Sequence, residues 1–234
     1  MGDDKYDIGH FGTDHITEEV VDRLLQITGQ TEQFETMMMH YDCAMSIVRT
    51  RLEVLNKEMG LKNKRNPFES IKARLKTPVS IYGKLRSRGV SFTTENIENT
   101  LNDVAGLRVI CSFIDDIYGI RDAFDVQEDV EILQEKDYIA NPKENGYRSL
   151  HLIIRVPIYL SNERINVNVE VQLRTIAMDF WASVEHTMKY KREIRNSEII
   201  SEELRYSADL INQLDRRMLQ IRDRIERSNA ENCI

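Results

Sequence analysis

Cysteine is scarce in this chain, and so are proline and glycine. Cys43, Cys111 and Cys233 are the three thiols among 234 residues, too few and too scattered for a disulfide framework or a cysteine-based zinc site. A reducing, cytoplasmic compartment is the expectation that follows. Four prolines and ten glycines exclude a collagen-like or loop-dominated chain and point to long regular elements. No apolar run approaches the roughly 20 residues of a membrane span, and the N-terminus shows no apolar leader, so no membrane partner is expected. Gly-x-x-x-x-Gly-Lys-Ser/Thr occurs nowhere, which excludes a Walker A phosphate loop. The net charge of −7 argues against a general nucleic-acid coat, and RNA binding, though open, has no support in the composition.

What is present suits one α/β domain with helical additions: apolar residues make up 41% of the chain and charged residues 30%. The charge is unevenly spread. From Lys62 to Arg88 there are nine basic residues and one acidic one, Glu69. A basic island in an acidic protein is either a solvated face or a seat for a particular anion.

Ile165–Arg174 alternates without a break, with Ile165, Val167, Val169, Val171 and Leu173 on one face of a strand. Asn166, Asn168, Glu170, Gln172 and Arg174 line the other face, roughly 6.6 Å between successive members. Ahead of it, the spacing predicts a first helical pattern from Ile16 and a long helix over 32–59. The second carries Met38, Tyr41, Met45, Val48, Leu52, Leu55 and Met59 as its packing stripe and stops at Gly60. A short strand follows over 71–76. Thr77 then caps a helix that opens with Pro78 and carries Ser80 and Lys84 on one face, a seat suited to phosphate.

A helix near 94–101 leads to Asp103 and a buried strand from Leu107, in which Arg108 needs a partner or a cavity. A helix over 115–126 and strands over 130–139 and 148–156 complete the sheet. Tyr147, Ser149 and His151 are expected on one face of the last of these, as a half-buried pair or as a platform for a base, with Arg148 leaving that face. A helix over 175–190 and a final one over 197–227 close the chain. The final helix places Ile200, Leu204, Ser207, Ile211, Leu214, Met218, Ile221 and Ile225 in heptad register, for packing on another helix of this chain or of a second copy.

Five motifs in order carry a resemblance. They are Arg74-x-Lys76-x-x-x-Ser80-Ile-x-x-Lys84, Asp103-Val-Ala-Gly-Leu-Arg108, Lys143-x-Asn-Gly-Tyr-Arg-Ser-Leu-His151, Glu170-Val-Gln-Leu-Arg-Thr175 and Phe180-Trp-Ala-x-x-Glu-His186. Over about residues 65–190 the chain resembles the small alarmone synthetases, stand-alone relatives of the RelA/SpoT synthetase domain. The resemblance implies an α/β (α+β) fold: a nucleotidyltransferase-like mixed β-sheet flanked by helices, with N- and C-terminal helical extensions. It implies Mg²⁺-dependent transfer of pyrophosphate from ATP to the 3′-hydroxyl of GDP or GTP. By the same resemblance Arg74 and Arg108 sandwich adenine, and Lys76, Ser80, Lys84 and Arg88 hold the ATP phosphates. Tyr147 stacks on guanine with Lys143, Arg148 and His151 nearby, and Gln172 and Arg174 orient neighbours from their strand. Asp103 is implied as a metal ligand, and Glu170 as a second ligand, as the base for the 3′-hydroxyl, or as both.

Five histidines without clustering and the chain length imply a synthetase with no hydrolase, and the family a homotetramer. Ser87 stands where some relatives carry arginine. Asp179, Ser70 and Lys72 depart from members activated by their own product, so that regulation is not carried over. The expected organisation is a helical extension at 1–60, a synthetase core at 61–192 and a C-terminal helix at 193–234, compact as one domain. Two alternatives remain open: another nucleotidyltransferase-fold enzyme, and a non-catalytic binder of guanine nucleotide or single-stranded RNA.

Overall fold

The structure, a computed structural model, describes residues 17–189 and 197–231. The chain divides into two compact units, one of residues up to Met38 with Lys76–Leu101, the other of Met39–Leu75 with the chain from Asn102 onward.

The smaller unit is helical. It holds α1 (Glu18–Thr28), the opening of α2 (Thr31–Asn63), α3 (Pro78–Ser87) and α4 (Thr94–Thr100). Val21, Leu25, Phe34, Met37, Ile81, Leu85, Ile97 and Leu101 are its buried apolar residues, and the Phe92 ring meets those of Phe34 and Tyr82. Gly29 ends α1 in the left-handed region, and the Gly29 and Gln30 N–H groups return to the Gln26 and Leu25 carbonyls. The Thr77 hydroxyl accepts from the Ser80 N–H with Pro78 in the first turn, the cap that the sequence predicts.

The larger unit carries the sheet. β1 (Phe68–Leu75), β2 (Ala105–Cys111), β3 (Glu131–Asp137), β4 (Leu150–Tyr159) and β5 (Arg164–Thr175) lie in the order β1-β2-β5-β4-β3. β2 and β5 are parallel and every other pair is antiparallel, so the sheet is mixed as expected. α5 (Ile114–Asp125) follows β2, and α6 (Ile176–Lys189) continues directly from β5. Leu107, Val109, Leu152, Ile154, Val169, Val171, Ile117, Ile120 and Phe124 are buried in its core.

Two details differ from the sequence expectation. α2 does not stop at Gly60 but runs to Asn63, and Lys64 with φ 53° takes the left-handed position. Gly60 serves close approach instead: a Cβ there would lie 3.3 Å from Asn66 Oδ1. The second is α7 (Ser197–Glu231), whose inward face is Leu204, Ala208, Ile211 and Asp215; Ser207 of the expected heptad is exposed. Trp181 of α6 donates its indole N–H to the Leu204 carbonyl at 3.1 Å, and the Thr175 hydroxyl donates to Asp215. These bonds fasten α7 to the end of β5 and to α6.

The loop from Lys143 to Tyr147 docks on this helix pair. The Gly146 N–H closes a turn on the Lys143 carbonyl at 2.8 Å, and Gly146 has φ +87°. A Cβ at Gly146 would meet Ala208 Cβ at 2.5 Å and Arg205 Cα at 3.2 Å, so both conformation and space require glycine. Gly146→Ala is expected to destabilise the protein by about 1–3 kcal/mol in urea unfolding. Adding Ala208→Gly should recover part of the loss, because the positive φ and the Arg205 backbone remain.

Candidate active site

The site starts from sheet register. Directly paired residues on neighbouring strands share a face, and Lys72, Arg108, Gln172, His151 and Lys136 form one such row across all five strands. The adjacent row is Arg74, Gly106, Glu170, Ile153 and Gln134. Arg74 and Arg108 are therefore diagonal neighbours on the face that carries Glu170. The residue beside Glu170 on β2 is Gly106, which adds no side chain, and a Cβ there would meet only the Arg74 carbonyl, at 4.0 Å. Space is left next to the carboxylate.

Hydrogen bonds then link Arg174, Tyr147, His151, Gln172 and Glu170 on this face. Arg174 is 5% exposed. One of its terminal nitrogens donates to Asp179 at 3.1 Å, and the other donates to the Tyr147 oxygen at 2.6 Å and to Gln172 Oε1 at 3.4 Å. Because a guanidinium can only donate, the Tyr147 oxygen accepts from it and passes its own hydrogen to His151 Nε2, 2.9 Å away. His151 is then the tautomer protonated at Nδ1, which donates to Glu170 Oε1 at 3.2 Å. Gln172, its carbonyl turned to Arg174 and to Arg108 (3.5 Å), donates its amide to Glu170 Oε2 at 3.1 Å. Both oxygens of Glu170 are thus held, and both routes lead back to Arg174.

The ionisation states agree with this order. Burial lowers the His151 pKa below the usual imidazole range, outweighing the neighbouring carboxylate, and keeps the ring neutral at pH 7. Burial by itself would raise the Glu170 carboxyl. The contact with His151, and after it the Gln172 hydrogen bond, more than offset it and hold the group below the ordinary carboxylate range, although the Asp103 charge opposes them. Burial and the charge of Arg174 lower the Arg108 pKa, while Asp179 opposes this from 3.6 Å.

Asp103 lies in the loop before β2. Asn102, its neighbour, accepts from the Asn168 amide at 3.0 Å, which gives a structural task to one of the two asparagines on the β5 polar face. The Tyr147 ring packs on the Trp181, Ala182, Leu204 and Ala208 cluster of α6 and α7. Lys143 Nζ stands 4.4 Å from the Tyr138 ring centre and 5.4 Å from that of Tyr147. Tyr138 also meets the Tyr147 and His151 rings edge-on.

The larger unit therefore brings Arg74, Asp103, Arg108, Lys143, Tyr147, His151, Glu170, Gln172 and Arg174 into one neighbourhood. Arg148 does not join them. β4 begins only at Leu150, and the Arg148 guanidinium donates to the Ile139 carbonyl at 3.0 Å and pairs with Asp209 of α7 at 3.2 Å. Lys76, Ser80, Lys84 and Arg88 belong to the smaller unit, where the Ser80 hydroxyl sits 2.9 Å from that of Thr77 and Arg88 donates to the Thr100 carbonyl. Tyr138 and Asp179 are site residues that sequence reasoning missed as such. Asp179 gathers Arg174, Arg108 and Lys72, and within this chain its sequence signal is its place one turn into the helix that leaves the strand of Arg174.

The neutral, buried His151 makes stability pH-dependent. Its folded pKa lies below the unfolded value of 6.5, so the contribution is complete above about pH 6.5 and is lost as pH falls, because the unfolded chain takes up the proton first. Glu170, lowered from 4.5, acts in the same direction further into acid. Urea unfolding at pH 7.5 and 5.5 should show a loss for the wild type that is smaller in His151→Asn.

Residues 73–195 match the family model described as the region found in RelA / SpoT proteins. The GTP pyrophosphokinase YwaC of Bacillus subtilis is 40% identical over 195 residues, 83% of this chain and 93% of that one. The crystal structure of small alarmone synthetase 1 from Bacillus subtilis, bound to its product pppGpp, superposes with a TM-score of 0.74 at 32% identity, covering 83% of this chain and 98% of that one. Small alarmone synthetase 2 from the same organism gives 0.72 at 39% identity, covering 82% and 98%. With the family region covering β2 to β5 and the candidate site, and with relatives matched over nearly their whole length, this chain belongs to the RelA/SpoT family, among its small alarmone synthetases.

Proposed function

We propose that the chain is a (p)ppGpp synthetase that transfers pyrophosphate from ATP to the 3′-hydroxyl of GDP or GTP and releases AMP. The observation that carries this reading is Glu170, an ionised carboxylate with both oxygens held by neutral donors and open space at Gly106 beside it. Glu170 takes the proton of the acceptor 3′-hydroxyl as that oxygen bonds to the β-phosphorus of ATP. The bond from the β-phosphorus to the α,β-bridging oxygen breaks, and AMP leaves with that oxygen. Tyr147 carries the guanine of the acceptor, with Lys143 beside it. Arg74 and Arg108 take the adenine of ATP, and Lys76, Ser80, Lys84 and Arg88 take its phosphates.

Asp103 and Glu170 are the residues for Mg²⁺. They are hard-oxygen donors, near enough that the Asp103 charge opposes ionisation of Glu170, a repulsion that a cation relieves. When bound, Mg²⁺ supplies neutralisation of the polyphosphate charge.

The chain acts in the cytoplasm as a homotetramer. Supporting the first, no helix among the described residues is long and apolar enough to cross a membrane. Supporting the second, Leu210, Leu214, Met218, Ile221 and Ile225 are exposed along one side of α7, an apolar stripe suited to a second copy.

Two measurements test these readings. Incubation with Mg²⁺, ATP and GDP should give AMP and a more highly phosphorylated guanosine nucleotide in equal amounts; binding without AMP release sinks the activity. Glu170→Gln should lower kcat at least about a hundredfold while nucleotides still bind, and Tyr147→Ala should weaken GDP far more than ATP. For the assembly, light scattering should give four times the chain mass, reduced by Leu214→Asp with Met218→Asp.

A further inference from the structure

By the resemblance His151 lies near the acceptor nucleotide, but both of its ring nitrogens are engaged elsewhere, as are the two terminal nitrogens of Arg174. His151 is 7% exposed and spends one ring nitrogen on Tyr147 and the other on Glu170. Arg174 spends its terminal nitrogens on Asp179, Tyr147 and Gln172. What the two residues join is instructive. At one end is the hydroxyl of the tyrosine whose ring is the acceptor platform, and at the other is the carboxylate that takes the acceptor's proton.

We propose that His151 and Arg174 are positioning residues that make seating the acceptor base on Tyr147 and aiming Glu170 at the acceptor hydroxyl a single event. The proposal rests on the reading of Glu170 as base and Tyr147 as platform. Arg174, held by Asp179, fixes the Tyr147 oxygen, and that oxygen fixes the rotation of the His151 ring. The ring in turn fixes Oε1 of Glu170, while Gln172, oriented by the same guanidinium, fixes Oε2. A shift of the tyrosine therefore reaches the carboxylate through two hydrogen bonds, with no flexible link between them. A guanine on the ring holds the tyrosine still, and through it the base.

Tyr147→Phe separates this role from stacking, because it keeps the ring and removes the oxygen that Arg174 and His151 share. Its kcat should fall about tenfold, while the GDP affinity from isothermal titration stays within about twofold of wild type. His151→Asn should show the same split. The double variant Tyr147→Phe/His151→Asn should lose no more kcat than the worse single variant, since both cut one chain. A wild-type kcat in Tyr147→Phe overturns the coupling, as do losses that multiply in the double variant. A His151→Asn enzyme with weakened GDP binding and unchanged kcat also overturns it, by making His151 a direct contact. Should the buried His151→Asn fail to fold, judged by circular dichroism, Tyr147→Phe decides alone. Turnover retained by Glu170→Gln marks failure of the underlying base assignment; an inactive Glu170→Gln beside a wild-type Tyr147→Phe refutes only the coupling.

Discussion

A buried guanidinium must be paired and have its hydrogens accepted, or it is strongly destabilising. Arg174 sits at the last turn of the central β5 strand, almost without exposure, and the residues that meet this demand are the residues of the site. Asp179 supplies the opposite charge from the first turn of α6. The buried Arg174 Nε–H finds no partner among the described residues, while the Tyr147 and Gln172 oxygens accept from the other terminal nitrogen. Each of these has a second polar function left over, and each directs it toward Glu170, Tyr147 by way of His151 and Gln172 directly. Meeting one arginine's requirements thus orders a tyrosine, an imidazole and both oxygens of a carboxylate.

The donors chosen for Glu170 are neutral, and this has an electrostatic consequence. A lysine or arginine in direct contact would lower the carboxylate pKa further, but it would place a fixed positive charge against the group proposed to accept a proton. His151 stays uncharged through burial, and Gln172 carries no charge, so Glu170 is ionised and oriented without being neutralised. On the same sheet face Arg74, Arg108 and Lys72 gather at the β1 and β2 side, where Asp179 offsets the last two, while Lys136 lies across on β3. In a chain with net charge −7, this segregation sets a basic region next to a carboxylate pair.

The tyrosine side of the site depends on the helix that ends the chain. α7 packs on α6 through Trp181, Leu204 and Ala208, and the Tyr147 ring leans on that cluster. The turn before it fits only because Gly146 lets the backbone come within a methyl's reach of Ala208. Asn145 holds the same turn, accepting from the Tyr147 N–H at 3.1 Å and donating to Glu185 of α6. A helix that the sequence assigns to packing on another helix is therefore also the wall behind Tyr147. Only its outer stripe is left for a second copy.

Much of this was legible in the sequence, for physical reasons. The alternation of Ile165–Arg174 fixed β5 and the face of Glu170, because a period of two leaves no other element and no other face. Thr77-Pro78 located the start of α3 to the residue, because caps are local chemistry. Local chemistry failed where spatial neighbours decide. Gly60 looked like a helix stop and is a point of close approach, and Ser207 looked like a core position that Ala208 takes. Arg148 leaves the Tyr147 face, as the alternation expects, but its partners there, the Ile139 carbonyl and Asp209 of α7, are supplied by packing. Residue types and periods told which side chains share a face. Only strand register and the docking of α6 and α7 decided that Arg174 would be spent inside the protein, that Asp179 would hold it, and that His151 would face Glu170, because those partners are brought together by strand pairing and helix packing that no stretch of sequence contains.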